Sequence, residues 1–164
     1  MIARSSVTAL GLTVLLAATP LHSQQVQGVP AHDSLMLTAA AGLQWAPIAP
    51  PGFDKGMEIA VVRGDPAKTG EPYVIRLRFP GGYRFPAHWH PVPENLTVLE
   101  GEFLLAMGEK LDESQLGQVY RPGDFIYAEP KKPHYGGARV PTTIQLHGLG
   151  PFAIIVVGSP EDIR

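Results

Sequence analysis

From Met57 onward the sequence is cut into short runs in which apolar residues alternate with polar ones, and glycine or proline closes nearly every run. Tyr73–Phe79 (YVIRLRF) alternates apolar with basic residues and stops at Pro80-Gly81-Gly82. A period of two places alternate side chains on opposite faces of a strand. Such frequent breaks leave no room for a long helix. The same reading marks Glu58–Arg63, Phe85–His90, Glu94–Glu100, Glu102–Met107, Val119–Tyr120, Asp124–Ala128, Thr142–His147 and Phe152–Val157 as strands. Asp112–Leu116 (DESQL) reads as a helical turn or a loop. Eight or nine short strands predict an all-β fold, either a closed barrel or a double-sheet jelly roll, in which closure protects the strand edges. The 18 glycines and 17 prolines are spread along the chain and not gathered in one tract. That spread fits tight turns better than a disordered tail.

The first residues follow a different rule. Arg4 precedes the uncharged apolar run Val7–Ala18, Thr19-Pro20 breaks it, and Leu21-His22-Ser23 ends on a small residue. This order predicts a secretory signal peptide over 1–23. The run is shorter than the ~20 apolar residues that span a bilayer, which argues against a membrane anchor. The expected product is exported, either periplasmic or secreted, with no membrane insertion after cleavage. An N-terminal extended arm over 24–56 and a barrel domain over 57–164 would follow. Ser34–Leu43 has room for a helical turn or two, but Trp45–Gly52 (WAPIAPPG) stops any helix.

Loss of residues 1–23 leaves 12 basic against 15 acidic residues, a net charge of −3 with no basic cluster. Nucleic acid is therefore not an expected partner. The chain has no cysteine. That excludes disulfides, thiolate metal sites and cysteine nucleophiles.

Candidate chemistry lies among the histidines. His88 and His90 are two apart, so on a strand they share a face. Glu94 has the same parity, but Pro91 and Pro93 interrupt the strand, so a bend must return it to the pair. Two imidazoles and a carboxylate suit a borderline divalent ion. Taken alone, an H-x-H pair fits a packing or surface pair as well as a metal site.

The wider spacing resembles the cupin superfamily. Gly82, His88, His90, Glu94 and Gly101 read G-x5-H-x-H-x3-E-x6-G, which agrees with the first cupin motif at every defined position. The second motif, G-x5-P-x-G-x2-H-x3-N, is only partly matched. Gly123 opens it and His134 stands at the expected offset, but Glu129, Lys131 and Ala138 occupy the proline, glycine and asparagine positions. The resemblance spans Met57 to Val157. The phrases GDPAKTGEPYVIRLRFPGGYRFPAHWHPVPENLTVLEGEF and IQLHGLGPFAI narrow it to small exported single-domain cupins. It implies a cupin barrel with one divalent transition metal (Fe, Mn, Ni, Cu or Zn) held by His88, His90, Glu94 and His134. It also implies a small-molecule substrate or ligand and often a homodimer.

Four protein ligands on a six-coordinate ion leave two positions open for chemistry. The expected function is a metal-dependent enzyme on a small organic molecule, with dioxygenase chemistry ahead of isomerase, decarboxylase or lyase chemistry. The alternative is a non-catalytic binding or sensing cupin. Around the metal, Gln145 and His147 share one strand face. An inward face would make His147 a proton carrier, while a core histidine bonded to a backbone carbonyl is the plainer reading. Tyr127, Phe125 and Met107 read as pocket lining or ordinary core. Arg76 and Arg78 read as a solvated face or a clamp for a carboxylate substrate. Tyr135, next to His134, should face away from the metal.

Overall fold

The computed structural model describes residues 38–159 and Asp162. The expected signal segment and the first part of the arm, 1–37, lie outside the described residues. Eleven strands follow one another: β1 (Ala46–Ile48), β2 (Met57–Arg63), β3 (Pro72–Phe79), β4 (Arg84–Trp89), β5 (Glu94–Glu100), β6 (Phe103–Met107), β7 (Val119–Tyr120), β8 (Phe125–Ala128), β9 (His134–Ala138), β10 (Thr142–Leu149) and β11 (Ile155–Val156). Two short 3-10 turns, Ala40–Gly42 and Glu113–Gln115, are the helical content of the described residues. No helix there is long and apolar enough to cross a membrane.

The strands form two antiparallel sheets. One has the order β1-β2-β3-β10-β5-β8 and the other β11-β4-β9-β6-β7. This is the expected all-β double-sheet barrel. Alternation decides what fills it. In β3, Tyr73, Ile75, Leu77 and Phe79 point inward and are buried, while Arg76 and Arg78 point out. Ile144 and Leu146 of β10 and Leu96 and Val98 of β5 complete that wall. Phe85 and Phe103 face them from the second sheet, with ring centroids 5.9 Å apart and each about 6 Å from Phe79. Burying such side chains contributes roughly 1.5–3 kcal/mol each.

Two strands were not anticipated. Ala46–Ile48, inside the stretch read as an arm, pairs with Met57–Ile59 at the edge of the larger sheet. Trp45, just before it, stacks on the Arg78 guanidinium at 3.7 Å, which places that arginine on the outer surface. The second is β9. Its sequence HYGGA carries little β propensity, but the glycines are required by close packing. A Cβ at Gly136 would lie 2.1 Å from the Leu104 carbonyl oxygen. Phe152–Val157, expected as a strand, pairs only at Ile155 and Val156, against Trp89 and His88.

Candidate metal centre

A register shift in β4 between Phe85 and His88 lets both side chains face the interior, and His90 follows just beyond the strand end. β9 lies beside β4 in antiparallel register, with His134 directly opposite His88. The bend at Pro91–Pro93 returns the chain so that Glu94, the first residue of β5, faces the same space. Ring nitrogens of His88, His90 and His134 lie within 4.8 Å of one another. The Glu94 carboxylate stands 3.5 Å from His90 Nε2 and 3.8 Å from His134 Nε2. All four side chains are buried.

Each imidazole is held by the same device. Nδ1 of His88 donates to the Pro86 carbonyl (2.9 Å), that of His90 to Ala153 (2.7 Å) and that of His134 to Lys132 (3.0 Å). A carbonyl can only accept, so each Nδ1 carries the proton and each Nε2 presents a lone pair. His90 Nε2 is buried with no hydrogen-bond partner among the described residues. Burial also keeps the rings neutral. It pushes His88 well below the ordinary range, with the neighbouring histidines adding to the effect, lowers His90 to about 4, and lowers His134. Burial pushes Glu94 the other way, up to about 7, against the opposing pull of His134.

Three lone pairs and a carboxylate converging in a dry space repel one another unless a cation sits between them. The donor set therefore fits a divalent transition metal, which His88, His90 and His134 could hold. A dication there would also favour the ionised form of Glu94.

Near Glu94, the Tyr73 hydroxyl is buried without a partner among the described residues, and burial plus the Glu94 charge raise it to about 12. It stays a protonated phenol at ordinary pH.

The remaining residues singled out from the sequence lie elsewhere. Gln145 and His147 sit on the outward face of β10, because Ile144 and Leu146 take the inward one. Gln145 accepts a hydrogen bond from Arg76 Nε at 3.1 Å on that outer face, and His147 is exposed. Gln145, His147 and Arg76 therefore do not line the cavity: of the two readings of Arg76 the solvated face holds, and His147 is neither a proton carrier at the metal nor a core histidine. Tyr127 and Phe125 face outward from β8 and are more than half exposed, so they are neither pocket lining nor core. Met107 has inward parity and pairs with His134, yet it lies at the barrel's end, 60% exposed. Tyr135 faces away from the metal site, packed in a separate cluster with Ala87, Leu104 and Leu116.

Sequence reasoning missed the aromatic residues that touch the ligands. Phe53, from the turn before β2, meets His88 edge-on at 5.2 Å, and Phe152 stacks on His90 at 5.3 Å and 19°. Together with apolar core side chains they close a cavity of about 30 Å³ beside the histidines. That is room for an ion and one or two water-sized ligands. Phe53 lies in no predicted strand, and Phe152, read as the start of one, lies outside the paired residues Ile155 and Val156, so alternation did not point to either.

Comparison with known proteins agrees with this geometry. Residues 76–146 match the family described as Cupin domain. The polyketide cyclase RemF from Streptomyces resistomycificus is similar in fold, with TM-score 0.60 and 16% identity over 79% of this chain and 89% of that one. A cupin 2 conserved barrel domain protein from Rhodopseudomonas palustris gives TM-score 0.57 and 15% identity over 79% and 90%. An acetylacetone dioxygenase from Acinetobacter johnsonii gives 0.55 and 16% over 73% and 76%. At these identities the likeness is one of fold. No curated protein matches the chain in sequence.

Proposed function

The chain is a member of the cupin superfamily, and from that premise we propose that it is an exported mononuclear metal cupin that acts as a metal-dependent enzyme on a small organic molecule. In this reading His88, His90, Glu94 and His134 are the ligands. The observation that carries it is the set of three Nδ1–carbonyl bonds, which leaves three buried Nε2 lone pairs converging beside a carboxylate. The apolar run Val7–Ala18 supports export.

A bound divalent ion would supply Lewis acidity, and iron or copper would add redox chemistry. The chain's own residues do the rest. The backbone carbonyls of Pro86, Lys132 and Ala153 fix ring tautomer and orientation. Glu94 offsets one positive charge, and the apolar walls keep bulk water away. Four donors would leave room on a six-coordinate ion for two further ligands, which suits the oxygens of a compact diketone or diol, or dioxygen itself. In this reading oxygenase chemistry comes ahead of isomerisation, decarboxylation or lyase chemistry, and the fold likeness to an acetylacetone dioxygenase is in keeping with it.

The small cavity favours the second reading, a cupin that binds a small ligand without turning it over. Elemental analysis of protein from its native compartment, followed by oxygen-consumption and product assays of the metal-loaded protein on diketones, diols and phenols, separates the two. Iron or copper with turnover supports the oxygenase. Stoichiometric binding without turnover across that panel sinks the enzyme reading. His88→Ala/His90→Ala should abolish metal content while the barrel still folds, and N-terminal sequencing of the mature protein tests export.

A further inference from the structure

The cavity beside the histidines has an unusual inventory of polar groups. Among the described residues, His88, His90, Glu94 and His134 are its only polar side chains, and every other lining residue is apolar, from Phe85 and Phe103 to Leu105 and Ile144. No lysine, arginine, amide or hydroxyl side chain among the described lining residues stands ready for a distant part of a ligand. Exposure divides the lining again. Phe53, Phe152 and Ile154 alone are half-buried, and all the others are buried. These three form the mouth. They come from two separate segments outside the regular strands, the turn before β2 and the stretch between β10 and β11.

We infer that the site selects a compact molecule that is apolar apart from the oxygens it presents to the metal, and that Phe53 and Phe152 set its size limit. This rests on the metal reading above and adds the substrate class to it. The physical reason is desolvation. A carboxylate, ammonium or sugar hydroxyl beyond the oxygens bound to the metal would lose its water and find no partner among the described lining residues, because the four ligand side chains are already engaged. Sugars, amino acids and dicarboxylates with a carboxylate away from the metal are excluded on that ground. Size follows from the mouth. In a cavity of about 30 Å³, a ligand of more than a few heavy atoms reaches the mouth and meets the Phe53 and Phe152 rings, each of which rests on a ligand imidazole.

A hydroxamate series tests this without requiring turnover, because all members bond a metal through the same two oxygens. The full chain is loaded with cobalt(II), its content is measured by elemental analysis, and its visible absorption is titrated. Acetohydroxamate should bind most tightly and benzohydroxamate poorly. Butyrohydroxamate should bind at least about tenfold more tightly than succinate monohydroxamate, whose similar tail ends in a carboxylate. In Phe152→Ala, and separately in Phe53→Ala, benzohydroxamate should gain about tenfold relative to acetohydroxamate, which relieved packing of this kind can supply. Equal binding of charged and apolar tails overturns the inference. So does tight binding of benzohydroxamate to the unaltered protein, or an unchanged size ranking in both variants at full cobalt content. Failure of the unaltered protein to take up cobalt overturns the metal reading, and this inference with it. Full cobalt content without the selectivity overturns this inference alone.

Discussion

His90 donates its Nδ1 proton to the carbonyl of Ala153 at 2.7 Å, while the neighbouring Phe152 ring lies over the same imidazole. One stretch of chain therefore fixes a ligand's tautomer and walls the cavity. That stretch is pinned in turn to the loop between β2 and β3. Gly150 N–H donates to Glu71, Gly70 N–H to Gly150, and Phe152 N–H to Pro66. Gly150 is a glycine for a steric reason, since a Cβ there would lie 2.2 Å from the Lys68 carbonyl oxygen. Gly150→Ala must push the segment off its support and loosen the bond to His90. Metal affinity should fall about 10–100-fold, the usual cost of disturbing a partner behind a metal ligand, measured by competition with a chelator. Unchanged affinity would show that this segment does not govern His90.

The metal-free protein should lose stability in mild acid. His88, His90 and His134 all have folded-state pKa values below the ordinary 6.5. The stability they contribute is present above pH 6.5 and is lost as pH falls toward their folded values, near 4 for His90. Glu94 works in the opposite sense. Its folded value is raised to about 7, so its contribution is full below pH 4.5 and lost as pH rises through 7. Three groups oppose one, and stability should fall from pH 6.5 downward. Urea unfolding of chelator-treated protein at several pH values checks this. A flat profile between pH 6.5 and 4.5 contradicts the buried neutral histidines. Metal-loaded protein should in addition release its metal over this range as protons compete for the imidazoles.

Much of this site was legible because its spacing is local. His88, His90 and Glu94 lie within seven residues, and the strand parity of the two histidines gives their common face directly. The fold was legible for a similar reason, since alternation in β3, β5 and β10 is visible residue by residue. What escaped the sequence depends on distant packing. β9 is a strand because β4 and β6 flank it and its glycines let them close in, not because HYGGA favours extension. Gln145 and His147 were paired correctly on one face, but parity alone does not say which face looks inward. Ile144 and Leu146 decide that by entering the core.

Glu94→Gln should act with opposite signs on the metal-free and metal-loaded protein. At pH 8 the carboxylate of the metal-free protein is ionised in a buried place that resists charge. Glutamine removes that penalty, so the metal-free variant should melt at or above the unaltered protein. With metal the carboxylate is favourable, and its loss weakens binding. For the unaltered protein, metal at a hundredfold excess over Kd adds ~2.7 kcal/mol, a rise in Tm of about 5–10 °C for a chain of this size. The variant's rise should be clearly smaller. Scanning calorimetry with and without metal reads both effects, and an equal rise in the two proteins would remove Glu94 from the ligand set.

Lys131 offers a test of the altered second motif. It stands where the cupin pattern has glycine, and its φ is +58°, the left-handed region that side chains disfavour. The backbone geometry has been kept although the residue that makes it easy has not. The reason is visible in its hydrogen bond, since Lys131 N–H donates to the His90 carbonyl at 2.9 Å and so ties the loop before His134 to the end of β4. Lys131→Gly should keep that bond and relieve the strain. Part of the gain is offset by the greater freedom of glycine in the unfolded chain. A net stabilisation of about 1 kcal/mol is expected, read by urea unfolding of the metal-free protein, with metal affinity unchanged. A destabilised variant would mean that the lysine side chain itself holds the loop, and that this departure from the motif is compensated by contacts of its own.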